Sequence, residues 1–133
     1  MTAELIDGRA IAATIQVRNR ERVAQLSASL PYAPRVAVLL VGDDPASDLY
    51  AKRIARSCKE AGLASSIVRL DEAAGTEDVV TTLACWRREA DVFGVIVQVP
   101  LPATVDSRAV IDAMDPTTDI DGMTPENFGR MAS

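Results

Sequence analysis

Apolar residues in the first part of the chain recur at threes and fours, as Ile11, Ile15, Val23, Leu26 and Leu30, with Arg18, Arg20 and Glu21 between them. That period predicts an amphipathic helix over 8–29, stopped by Pro31 and Pro34. The pattern then changes to an unbroken apolar run from Arg35 to Val41, ending at Gly42, which suits a parallel strand covered on both faces. Asp44 followed by Pro45 supplies a cap and a first-turn proline for a second helix, which runs to Ala61 with Gly62 as a left-handed stop. A strand over 63–70, a helix over 76–90 opened by Thr76 with Asp78 in its first turn, and a strand over 92–99 complete the alternation. After Pro100-Leu101-Pro102 come a short helix over 107–114, an extended piece at Thr118 to Gly122, and at most one turn of helix. Alternating elements with short turns predict a single α/β domain. Its sheet is doubly wound and mainly parallel, with helices on both faces and right-handed crossovers.

Composition narrows the chemistry more than the fold. The 133 residues include no histidine, which removes His-based general bases, Ser/His/Asp and Cys/His nucleophile systems, and the commonest zinc-ligand sets. No metal site is expected. Cys58 and Cys85 match no C-x-x-C pattern and read as reduced, half-buried packing residues of a cytoplasmic protein. The longest apolar run, Val36 to Val41, is far short of a membrane span, and the acidic N-terminus resembles no export signal. A net charge of −5 with 4% aromatic residues also argues against nucleic acid as a partner.

In a doubly wound sheet, ligands collect beyond the carboxyl ends of the strands where the strand order reverses. Three segments should meet there. They are Val41 to Tyr50, Gln98 with Pro100-Leu101-Pro102, and Asp119-Ile120-Asp121-Gly122. Gln98 ends an apolar strand and has an amide that needs partners, while Asp119 and Asp121 form a carboxylate pair before a glycine.

Together these segments resemble the catalytic domain of the bifunctional methylenetetrahydrofolate dehydrogenase/methenyltetrahydrofolate cyclohydrolase family. The resemblance rests on Val41-Gly42-Asp43-Asp44-Pro45-Ala46-Ser47, Tyr50, Val97-Gln98-Val99-Pro100-Leu101-Pro102, and Asp119-Ile120-Asp121-Gly122 with Pro125, Asn127 and Gly129. It implies a reduced folate as the small-molecule substrate or one-carbon carrier. Asp121 would accept hydrogen bonds from the pterin's guanidine-like edge, Tyr50 would stack on the folate beside the N5–C–N10 bridge, and Gln98 would orient the reacting group. Those three are the catalytic candidates; Arg53, Pro100 and Leu101 join them as substrate-binding candidates. The alternative readings, given less weight, are a loop carboxylate for Asp121, a packing residue for Tyr50 and a strand-end amide bonded to backbone for Gln98.

Two departures from the family pattern bear on activity. The lysine that stands four positions after the tyrosine, and assists opening of the methenyl bridge, is here Ile54. At about 100° per residue, Lys52 lies on the far side of the helix from Tyr50, whereas Arg53 is about 60° away. A guanidinium keeps its proton, so Arg53 could bind a carboxylate or stabilise charge but not act as a base. The second departure is that the dinucleotide-binding domain of the family is missing from these 133 residues, and no G-x-G-x-x-G occurs. No NAD(P) site and no intrinsic dehydrogenase activity are therefore expected. Three readings stay open: a folate enzyme that opens the bridge or transfers its carbon, with Asp48, Asp121 or water as acid; a non-catalytic folate-binding or interaction module; and a fragment of a bifunctional enzyme. A homodimer or partner protein would cover the face left by the missing domain.

Overall fold

The computed structural model describes residues 5–133. Helix α1 (Gly8–Ser29) is followed by β1 (Arg35–Val41), α2 (Pro45–Ala61), β2 (Ala64–Leu70), α3 (Thr76–Trp86), β3 (Val92–Val97), α4 (Ser107–Ala113) and α5 (Pro125–Ala132). The three strands are parallel in the order β2-β1-β3, so the chain leaves β1 in one direction and returns on its other side. The reversal lies between β1 and β3. Alternation along β1 divides the core. Val36, Val38 and Leu40 pack with Ala51 and Cys58 of α2, while Ala37, Leu39 and Val41 pack with Val79, Leu83 and Trp86 of α3 and Val110 of α4. Helices thus cover both faces of the sheet, as the unbroken apolar run in β1 requires.

The signals at α2 act as read. Asp44 accepts from the Ser47 N–H at 2.7 Å, and Gly62 closes the helix at φ 88°, where a side chain would be strained. Six expectations need correction. Helix α3 stops at Trp86 instead of residue 90, because Arg88 and Glu89 donate to the carbonyls of Cys85 and Trp86 in tight turns. It is also capped differently: Asp78 accepts from the Gly75 N–H at 2.8 Å, while the Thr76 hydroxyl accepts from the Asp106 N–H at 2.8 Å. Strand β3 ends at Val97, short of Pro100, which has no N–H to continue a ladder; the Val99–Pro100 bond is cis. The C-terminal helix spans eight residues, with Thr124 as cap and Pro125 in its first turn. Finally, α1 buries none of its residues. It rests on α2 near its own C-terminal half, where Arg20 donates to the Glu60 carbonyl at 2.8 Å, leaving Ile11 and Val17 more than half exposed. The two cysteines also part from the half-buried reading: Cys58 is buried and Cys85 is exposed on the outer side of α3.

Candidate functional site

Gln98 follows directly on β3, and its N–H donates to the Leu39 carbonyl at 2.9 Å, which sets it at the carboxyl end of the sheet beside β1. The residue is 7% exposed, and its side-chain amide makes no hydrogen bond to any described residue. An amide so placed keeps its donors and acceptor for a ligand or water.

The Asp119 segment joins the sheet from the other side of β3. Val95 donates to the Thr118 carbonyl at 2.7 Å and Ile120 donates to the Val95 carbonyl at 3.3 Å, making one parallel bridge. Continuing that register places Asp121 level with Val97, one residue before Gln98. Ile120 lies over Gly94; a Cβ there would come within 2.3 Å of its Cδ1. Gly122, at φ 68°, then turns the chain.

The two carboxylates of this segment have separate fates. Asp119 is buried and accepts from the Met123 N–H at 3.1 Å, the Thr124 N–H at 2.9 Å, the Thr124 hydroxyl at 2.9 Å and the Asn127 side-chain amide at 3.1 Å. Burial opposes its charge, but these donors outweigh it and hold its carboxyl below the usual range. Asp121 has no partner among the described residues. Its side chain is exposed, yet partial desolvation first, and then the neighbouring Asp119 charge, push its carboxyl upward.

Tyr50 stands on the second turn of α2 and is 55% exposed, with Ile54 one turn further on, half-buried against the Val36, Val38, Leu40 and Cys58 cluster. Arg53 is exposed and makes no ion pair or hydrogen bond to a described residue. Pro100 is exposed, whereas Leu101 is partly buried against the α3 and α4 side of the core, leaving less of it for a ligand.

Asp48 is bound from two sides, to Lys52 at 2.6 Å and to Arg69. The Lys52 hydrogen bond, helped by both cations' charges against a desolvation cost, lowers its carboxyl, so it holds no proton to give near neutrality. Arg69, at the end of β2, also donates to the Gly42 carbonyl at 2.7 Å and thereby ties the β1–α2 loop to the neighbouring strand. A concavity of about 380 Å³ opens beside it, lined by Asp43, Arg69, Leu70, Asp71 and Glu72. Asp43 brings in the edge of the predicted Val41 to Tyr50 segment, but none of the catalytic or substrate-binding candidates lines it, and three carboxylates suit neither a flat ring nor an anionic tail.

Topology thus brings to the carboxyl end of the sheet an unpaired carboxylate, a largely buried glutamine and the start of the helix that carries an exposed tyrosine and an unpaired arginine. The profile of the tetrahydrofolate dehydrogenase/cyclohydrolase catalytic domain matches residues 6–121. The chain belongs to this family. Among relatives of this tetrahydrofolate dehydrogenase/cyclohydrolase domain, the bifunctional protein FolD of Acidiphilium cryptum is 44% identical over 132 residues, covering 99% of this chain and 46% of that protein. FolD of Rhodopseudomonas palustris strain TIE-1 is 41% identical over 133 residues, covering 45% of its length. The solved 5,10-methylenetetrahydrofolate dehydrogenase of the silkworm Bombyx mori superposes with a TM-score of 0.90 at 32% identity, over 98% of this chain and 45% of that one. The chain spans about half the length of the relatives it matches. The domain is thus a folate one-carbon catalytic domain in family and fold. Among its described residues, no helix is long and apolar enough to cross a membrane.

Arg69 and the partners of Asp119 escaped the sequence reading. Arg69 is one cation on an edge strand, and nothing local reveals that it reaches the neighbouring loop. Asn127 was visible in the motif, but its bond back to Asp119 needs the α5 turn to form first.

Proposed function

We propose that this domain binds 5,10-methylene- or methenyl-tetrahydrofolate at the β1/β3 reversal point and supports slow opening of the bridge or transfer of its carbon. Asp121 carries the reading, as a carboxylate without a protein partner at the carboxyl end of the sheet. It accepts two hydrogen bonds from the pterin edge, Tyr50 stacks on the ring system, Gln98 orients the bridge, and Arg53 pairs with a carboxylate of the ligand's tail; Pro100 and Leu101 bound the slot.

Opening a methenyl bridge requires water to add to the bridging carbon, one C–N bond to break, and a proton to reach the leaving nitrogen. Ile54 supplies neither donor nor acceptor, and Asp48 is held ionised by Lys52 and Arg69. With Asp121 committed to the pterin edge, solvent is left as the proton source. The same placement of Ile54 favours a second reading, a domain that retains folate recognition without turnover. The chain has no Gly-rich turn between strand and helix to cradle a pyrophosphate, so we assign it no NAD(P) site and no hydride transfer of its own. We place it in the cytoplasm, with a reduced folate as its ligand and a second copy or another protein over the exposed apolar positions of α1 and α5. Following the absorbance of methylene- and methenyl-tetrahydrofolate with the purified chain tests the reading. A bound-state spectrum with slow bridge loss supports it, and an unchanged spectrum at saturating protein contradicts it.

A further inference from the structure

We propose that Asp119, Thr124 and Asn127 form a positioning clasp that fixes the direction in which Asp121 presents its carboxylate to a ligand. The proposal rests on the folate-binding reading of Asp121 and assigns new work to three residues that touch no ligand. Asp121 is only two positions from a buried carboxylate, and its own side chain is bonded to nothing among the described residues. A free side chain on a free loop would sample many directions and lose affinity in becoming ordered.

The loop, however, is pinned on three sides. On the inner side, Asp119 gathers the N–H groups of Met123 and Thr124, the Thr124 hydroxyl and the Asn127 amide, all at 2.9–3.1 Å. Asn127 is itself held, donating to the Pro116 carbonyl at 2.8 Å, so the clasp closes the chain from 116 to 127 on itself. Thr124 serves twice: its hydroxyl donates to Asp119 and accepts from the Asn127 N–H at 3.4 Å, which begins α5. On the sheet side, Ile120 is bonded to Val95 and seated over Gly94. On the third, Gly122 makes its positive-φ turn against Met131, whose Cε would lie 3.0 Å from a Cβ at that position. Asp121, between these pins, is exposed and its carboxylate is left unpaired among the described residues. The division of labour explains a carboxylate pair in so short a segment: the first carboxylate organises backbone donors so that the second can remain unsatisfied.

A double-mutant cycle with tetrahydrofolate as the probe separates positioning from plain stability. Affinity is measured by titration for wild type, Thr124→Val, Thr124→Ser, Asn127→Ala and Asp121→Asn, and for Asp121→Asn combined with each of the others; thermal melting of every variant shows that it is folded. Thr124→Val and Asn127→Ala are expected to weaken binding by about 5- to 20-fold, within the coupling range of residues in one network. In the Asp121→Asn background they should change it by less than about twofold, because the group they aim has already lost its charge. Thr124→Ser, which keeps both hydrogen bonds, should bind like wild type. Equal losses in the two backgrounds, or a Thr124→Ser variant as weak as Thr124→Val, would overturn the positioning role. If Asp121→Asn binds like wild type, or wild type does not bind, the reading of Asp121 itself fails and the clasp's role in binding falls with it.

Discussion

Replacing Ile54 with lysine restores an ammonium one helical turn beyond Tyr50, where the family pattern has its bridge-opening group. The structural cost is limited because Ile54 is only half-buried, at the margin of the Val36, Val38, Leu40, Ala51, Cys58 and Ile96 cluster. Full burial of an isoleucine contributes about 1.5–3 kcal/mol, so losing the half-buried contact costs about 0.8–1.5 kcal/mol. Part of that is retained, since lysine's methylenes can cover the same surface while the ammonium reaches solvent beside the exposed Tyr50 ring. For a chain of 133 residues the penalty corresponds to a Tm drop of about 3–6 °C. The kinetic gain is larger, because a positioned proton-transfer group is worth about 10²–10⁴-fold. Loss of methenyl-tetrahydrofolate absorbance, corrected for the uncatalysed rate, should therefore be slow for wild type and accelerated by at least about 10²-fold in Ile54→Lys. A folded Ile54→Lys protein with the wild-type rate would refute the reasoning, as would wild type turning over as fast as the variant.

Three other outcomes follow from the geometry. Partial desolvation and the Asp119 charge raise the carboxyl of the exposed Asp121, so the folded state binds its proton more tightly than the unfolded chain, and its destabilising share, small because solvent screens it, grows as pH rises through that range. Asp121→Asn should therefore melt higher than wild type at neutral pH, with the difference gone below about pH 4, near the ordinary carboxyl value; calorimetry across pH checks this. Asp119 behaves in the opposite sense: its lowered carboxyl stabilises the fold above the unfolded value and is lost as pH falls through the folded one, so Asp119→Asn should destabilise at pH 7 and much less near pH 2. Cys85 is exposed and Cys58 is buried with its thiol pushed up by burial, so a thiol reagent should modify one group rapidly and the second only on unfolding; two fast groups would contradict the packing of α2 on β1.

The elements legible in the sequence are those whose ends carry local chemistry. Asp44-Pro45 and Gly62 mark α2 at both ends, and the unbroken apolar run of β1 marks a strand between two helical layers. Where an end depends on a distant partner, the pattern misleads. The Thr76 hydroxyl is taken by the Asp106 N–H from a segment 30 residues away, leaving the cap to Gly75. The apolar spacing of α1 signals a helix correctly but not a buried one, since periodicity reports the shape of a face and not what covers it. At the site, Tyr50, Gln98 and Asp121 were readable as a motif, and the structure brings their elements to one end of the sheet. The distinction between the two aspartates was not readable, because it arises from donors at Met123, Thr124 and Asn127 that only the folded turn presents.

The central claim, that this surface recognises a reduced folate through Asp121, is tested most directly by calorimetric titration of the wild type and Asp121→Ala with tetrahydrofolate. Removing the carboxylate leaves the pterin's donors unpaired in the bound state, which costs about 2–4 kcal/mol, or roughly 30- to 1,000-fold in affinity. Saturable binding by the wild type with a loss of that size in the variant is the predicted result. Equal affinities for the two proteins, or no heat of binding from either, would contradict it.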